Sequence, residues 1–125
     1  MKKIISAKNA PEAIGPYSQA VEINGMLFWS GMLPIDPTTG NLVEGGIKEQ
    51  TSQIFINIKD VLSAADMSME HVVKTTVFLN DMSYFNEMNQ VYASQFKDSF
   101  PARSTIAVKA LPKNALVEIE VIAAK

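Results

Sequence analysis

The dipeptide Asn24-Gly25 divides two strand-forming runs, Ser18 to Ile23 and Met26 to Met32. A two-residue turn between paired strands needs positive φ at both central positions. Asparagine and glycine tolerate that best, so the spacing predicts a tight antiparallel hairpin. The second arm, Met26-Leu27-Phe28-Trp29, is apolar at every position instead of alternating. A strand of that composition calls for cover on both of its faces.

A short strand around Lys3 to Ser6 precedes the hairpin, separated from it by a loop from Ala10 to Pro16 that holds two prolines and Gly15. After the hairpin, Pro34 to Gly46 contains two prolines and three glycines and reads as a long connection. From Ile47 onward, Thr51, Ile54, Phe55, Ile58, Val61, Leu62 and Ala65 recur at the spacing of one helical face. Val72 to Leu79 is rich in β-branched and aromatic residues and predicts a strand. Asp81 or Ser83 can cap a second helix with Phe85, Met88, Tyr92 and Phe96 as its buried stripe, and Pro101 ends that region. Strands over Ser104 to Ala110 and Leu116 to Ala123 complete an α+β order of β-β-β-α-β-α-β-β. Two helices cover one face of such a sheet, and an oligomer is the simplest cover for the other.

The 125 residues fit a single domain, 1–125, and 47% hydrophobic against 19% charged residues favours a packed core over disorder. The start, Met1-Lys2-Lys3-Ile4-Ile5, is interrupted by Ser6, Lys8 and Asn9 before an export signal could form, and no apolar run approaches the length of a membrane span. A soluble, cytoplasmic protein without membrane contact is the expectation. The net charge of -2 supplies no global attraction for nucleic acid. With no cysteine, disulfides, thiolate nucleophiles and cysteine metal sites drop out. The one histidine, His71, sits in Ser68-Met69-Glu70-His71-Val72, a short connection before a strand, and cannot form a metal cluster alone. Gly40 and Gly45-Gly46 lack the lysine and spacing of a phosphate loop, and Gly31 opens no dinucleotide fingerprint. The methionines read as core filler. Ser30 has no histidine suited to activating it as a nucleophile.

Ten of the eleven basic residues are lysines; the exception is Arg103 in Ser99-Phe100-Pro101-Ala102-Arg103-Ser104. Arginine offers a planar fork that grips a carboxylate with two parallel hydrogen bonds, although a drifted surface cation explains a lone arginine equally well. In the last strand, Leu116, Glu118, Glu120 and Ile122 share one face, and Val117, Ile119, Val121 and Ala123 the other. An ordinary solvated face would account for the glutamates. If the last two strands pair across their short connection, however, Arg103 and Glu118 come near each other and could hold an anionic substrate beside a water.

The blocks Pro101-Ala102-Arg103-Ser104-Thr105-Ile106, Ala110-Leu111-Pro112-Lys113 and Val117-Glu118-Ile119-Glu120 resemble the signature of the RidA/YjgF family. So do Ala13-Ile14-Gly15-Pro16-Tyr17-Ser18-Gln19, Trp29-Ser30-Gly31, Lys74-Thr75-Thr76-Val77-Phe78 and Asn89-Gln90-Val91-Tyr92, in the same order along essentially the whole chain. The resemblance implies a chorismate-mutase-like fold with two helices on one face of a mixed sheet, assembled as a homotrimer with sites between subunits. It implies hydrolytic deamination of 2-iminopropanoate and 2-iminobutanoate, small tautomers of enamines, to 2-keto acids and ammonia, without metal or cofactor.

By that resemblance Arg103 holds the substrate carboxylate and Glu118 orients or activates water. Tyr17, Ser30, Gly31 and Asn89 line the pocket, with Tyr17 coming from a neighbouring subunit, and the main chain at Thr105 touches substrate. Two departures stand out: many relatives have cysteine where Thr105 stands, and glutamine where Met32 follows Gly31. A regulatory or chaperone-like binding protein of the same fold is the alternative, since fold does not fix chemistry; it would keep Arg103 but not need Glu118. An RNA-directed activity fits the acidic charge poorly.

Overall fold

The computed structural model describes residues 1–125. Ten elements follow one another: β1 (Lys3–Ile5), β2 (Ala20–Ile23), β3 (Met26–Trp29), β4 (Ile35–Asp36), β5 (Asn41–Leu42), α1 (Ile47–Ala64), β6 (Val72–Leu79), α2 (Phe85–Phe96), β7 (Ala102–Ala107) and β8 (Val117–Ala124). Apart from the small β4–β5 hairpin, which sequence reading leaves inside a long loop, this is the expected order. Asn24 and Gly25 take φ of 51° and 78°, and β2 pairs with β3 from Ile23↔Met26 to Ala20↔Trp29.

The main sheet has six strands in the order β1-β2-β3-β8-β6-β7. All neighbours are antiparallel except β6 and β7, which run parallel. A parallel pair needs a crossover connection, and α2 lies within it. β8, the last strand in sequence, inserts between β3 and β6. The antiparallel pairing expected between the final two strands is therefore absent: β6 separates β7 from β8, because β8 finds an apolar partner on each side.

Both helices pack on one face. Ile54, Phe55, Ile58, Val61 and Leu62 of α1 meet Val117, Ile119 and Val121 of β8 in one core with Met88, Tyr92 and Phe96 of α2. Each such fully buried side chain contributes about 1.5–3 kcal/mol. Phe55 makes edge contacts with Tyr92 and Phe96, ring centroids 5.6 Å away in both cases. Polar clamps fix the connections. The Asn57 amide, buried in α1, donates to the Ile35 carbonyl at 2.9 Å, and Gln50 accepts from the Leu116 amide at 2.8 Å.

Helix starts are set locally. Glu49 reaches back to the Gly46 amide at 2.7 Å, and the Asp81 carboxylate accepts from Ser83 N–H at 2.8 Å, capping the 3₁₀ turn Met82–Tyr84 that leads into α2. His71 Nδ1 accepts from the Ser68 amide at 2.9 Å and closes the 3₁₀ turn Met69–His71, a local structural role. No helix is long and apolar enough to cross a membrane.

The second face of the sheet carries Ile23, Met26, Phe28 and Ile106, all exposed. Along β3, Leu27 is 0% exposed and Phe28 41%. The chain therefore covers one face of this apolar strand and leaves the other open, where sequence reading calls for cover on both.

Candidate active site

The expected site residues form two clusters. Arg103, Asn89 and Thr105 belong to the first, on the helix-covered side of the edge strand β7. Register places Arg103 beside Thr75 of β6, itself beside Val121 of β8. The Arg103 guanidinium donates from Nη1 to Asn89 Oδ1 at 2.7 Å and stacks over the Tyr92 ring, 4.6 Å from its centroid. The Tyr92 hydroxyl in turn is paired with Thr75 Oγ1 at 2.7 Å. Burial pushes the Tyr92 phenol up, although Thr75 and the Arg103 charge pull it down. A neutral ring under a cation is a favourable platform. Arg103 is thus held by hydrogen bond and stacking, with part of its fork still free to meet a planar anion.

Sequence reading places Tyr92 in a buried stripe and a family block, and Thr75 in another such block, and gives neither a role at the site. The signal that could have found Tyr92 is its place three residues after Asn89, on the same helical face. Thr105 follows Arg103 by two residues and so points to the same side of β7. Its hydroxyl oxygen is buried and has no hydrogen-bond partner. Such an orphan costs about 1–3 kcal/mol.

Tyr17, Ser30, Gly31 and Glu118 form the second cluster. Gln19 accepts from the Ala7 amide and donates to the Pro11 carbonyl, both at 2.6 Å, tying down the loop before Tyr17. The Ser30 hydroxyl donates to the Ser18 carbonyl at 2.8 Å and is engaged in structure. Tyr17, half-exposed, Ser30 and Gly31 line a cleft of about 320 Å³ together with Gln19, Met32 and Lys113. Met32 and Ile119 exchange backbone hydrogen bonds of 2.7 and 3.2 Å, which sets Gly31 beside Glu118. A β-carbon on residue 31 would stand only 2.7 Å from the Glu118 carboxyl carbon. Burial first, and then the Glu120 charge, raise the Glu118 carboxyl above its ordinary value of 4.5.

Within one chain the two clusters do not meet. Glu118 alternates with the buried Val117 and Ile119 and so lies on the open face of the sheet, whereas Arg103 lies under α2. The meeting of Arg103 and Glu118 across adjacent strands is corrected by the intervening β6 and by their opposite faces.

The family model described as Endoribonuclease L-PSP matches residues 7–125. The chain belongs to the RidA/YjgF family. The two helices on one face of a mixed sheet are the α+β architecture shared with Rid-family structures. A Rid-family protein of Yersinia pestis superposes with a TM-score of 0.97 at 52% identity, covering 100% of both chains. TdcF of E. coli, solved with bound serine, gives a TM-score of 0.93 at 38% identity over 98% of each chain. Among RidA/YjgF sequences, the human 2-iminobutanoate/2-iminopropanoate deaminase is 45% identical over 123 residues, 98% of this chain and 90% of the relative. A RutC family protein of Pyrococcus horikoshii is 52% identical over 125 residues, 100% and 99% of the two chains.

Proposed function

We propose that the chain hydrolyses small 2-imino acids, 2-iminopropanoate and 2-iminobutanoate, to 2-keto acids and ammonia, in pockets completed between subunits of a homotrimer. The observation that carries this reading is the Arg103 guanidinium, oriented by Asn89 and Tyr92 before any ligand arrives. That is the arrangement a small carboxylate needs. Support comes also from the deaminase name of the mammalian relatives and from the serine bound to TdcF, a ligand with the same carboxylate.

In this reading Arg103, Asn89 and Thr105 of one subunit face Tyr17, Gly31 and Glu118 of the next, since Glu118, against Gly31, lies on the sheet face opposite to Arg103. The open apolar face, with Met26 and Phe28, becomes the subunit contact. Arg103 fixes the carboxylate. The protonated imine carbon is already electrophilic, and Glu118, its carboxyl raised by burial, takes a proton from water as the oxygen adds to that carbon. The carbinolamine so formed collapses: nitrogen takes back the proton from Glu118 and leaves as its C–N bond breaks, and the hydroxyl proton passes to it as the C=O bond forms. In sum, R–C(=NH₂⁺)–COO⁻ and water give R–CO–COO⁻ and NH₄⁺. No bond to the protein forms at any stage, and positioning supplies much of the acceleration. The reading assigns no metal or cofactor to the reaction and looks for the protein in the cytoplasm. A net charge of -2 gives little attraction for RNA, despite the name of the family model.

The test is to generate 2-iminobutanoate with a pyridoxal-phosphate-dependent threonine dehydratase and time ammonia and 2-oxobutanoate release with and without the purified chain. Faster release in its presence is the expected result; release at the buffer rate, at all enzyme concentrations, sinks the proposal.

A further inference from the structure

The unpaired hydroxyl of Thr105 has few places to go. Of the acceptors that α2 offers on this side of β7, Asn89 Oδ1 is occupied by Arg103, and the Tyr92 hydroxyl is paired with Thr75. Thr105 Oγ1 is buried and makes no bond, while the residue as a whole is only half-buried, so its exposed surface belongs to atoms other than the hydroxyl oxygen. The oxygen and methyl of threonine are nearly the same size. One step between staggered rotamers therefore sets the methyl in the slot the oxygen held and carries the hydroxyl to the position of the β-hydrogen, out of its unpartnered site. Valine would fill the same space with no orphan to bury, and the fold alone gives no reason to prefer threonine.

We propose that Thr105 is a specificity residue whose hydroxyl, idle in the unliganded chain, turns outward and donates a hydrogen bond to the carboxylate held by Arg103. This rests on the reading of Arg103 as carboxylate anchor and adds a side-chain contact where the family resemblance implies a main-chain one. Arg103 and Thr105 are two residues apart on one strand and one face, so a group of two oxygens can meet the guanidinium at one and the hydroxyl at the other. The ligand class favoured is a small α-substituted carboxylate. Its amide lacks the charge that both donors exploit, and a site built around donors rejects a ligand that leaves them poorly matched.

Binding of 2-oxobutanoate to the full chain, measured by calorimetry for wild type, Thr105→Val, Thr105→Ser and Arg103→Lys, tests this, with Tm recorded for each. Thr105→Val should weaken binding roughly tenfold or more, as for loss of a hydrogen bond to a charged group, while its Tm stays level or rises. Thr105→Ser should bind within about twofold of wild type. Unchanged binding in Thr105→Val overturns the proposal, as does equal weakening in the valine and serine variants, which would assign the effect to the methyl. A fall in the Tm of Thr105→Val overturns it too, since the hydroxyl would then have a structural partner. Arg103→Lys separates the two readings: if it also binds normally, the carboxylate anchor itself fails, whereas weakening there with no change in Thr105→Val removes Thr105 alone.

Discussion

The Glu118 carboxylate occupies the place from which a side chain on residue 31 would have to begin, and glycine is what lets it lie there. Gly31→Ala should therefore displace Glu118. The expected result is a large loss of turnover and a stability loss of about 1–3 kcal/mol, the usual cost of overpacking. In a Glu118→Ala background the same substitution should cost much less stability. Additive Tm changes in that double-mutant cycle would show that the two positions are not coupled.

Arg103→Lys should reduce kcat/KM roughly tenfold to a hundredfold with little change in Tm, because a point charge replaces a stacked planar fork. Asn89→Ala is expected to act in the same direction and more weakly, since Tyr92 still supports the guanidinium from below. Near-normal kcat/KM in Arg103→Lys, measured by ammonia release, would end its role as anchor.

The raised carboxyl of Glu118 fixes the sign of two pH effects. The folded chain holds its proton to higher pH than the unfolded chain, so this group favours folding below its ordinary value of 4.5, and that contribution disappears as pH climbs through the raised value. Thermal unfolding of Glu118→Gln should lack that part of the slope. Glu118→Gln should also bind 2-oxobutanoate yet turn over roughly a hundredfold more slowly. Glu120→Gln removes the secondary cause of the shift, and its acid limb in kcat/KM should move to lower pH. An acid limb that stays in place would exclude Glu118 as the titrating group.

Assembly and activity should be lost together. Phe28→Glu, on the open face, is expected to shift sedimentation from trimer to monomer and abolish imine hydrolysis while leaving the helix-side core intact. Tyr17→Ala and Arg103→Ala, each inactive alone, should recover activity when refolded together. Random mixing in a ring would restore about one site in four. Sedimentation of an active monomer would remove the shared pocket.

Local chemistry made much of this fold legible. The Asn24-Gly25 turn, the alternation of Val117 to Ala123 and the helical stripe from Ile47 to Leu62 each depend on neighbours within a few residues, and each stands where the sequence puts it. Strand order is different in kind. That β8 enters between β3 and β6 is decided by which apolar faces pair best over the whole chain, and no residue near Arg103 or Glu118 announces it. Hence both residues could be named from the sequence while the sheet that separates them could not be seen. Asn89 was available through family likeness alone, and the Thr75–Tyr92 support beneath Arg103 only through geometry.

Trp29 is the only tryptophan in the chain, and its indole is packed inside with the ring N–H unpaired, one residue before Ser30. An indole in dry surroundings emits at shorter wavelength than one in water. The protein thus carries a single tryptophan, excitable apart from its three tyrosines, at the end of the strand that delivers Ser30 and Gly31. A shift of the strand that carries Ser30 and Gly31, on ligand capture or on separation of the proposed subunits, would change the surroundings of that indole and so its emission on unlabelled protein, at concentrations too dilute for calorimetry.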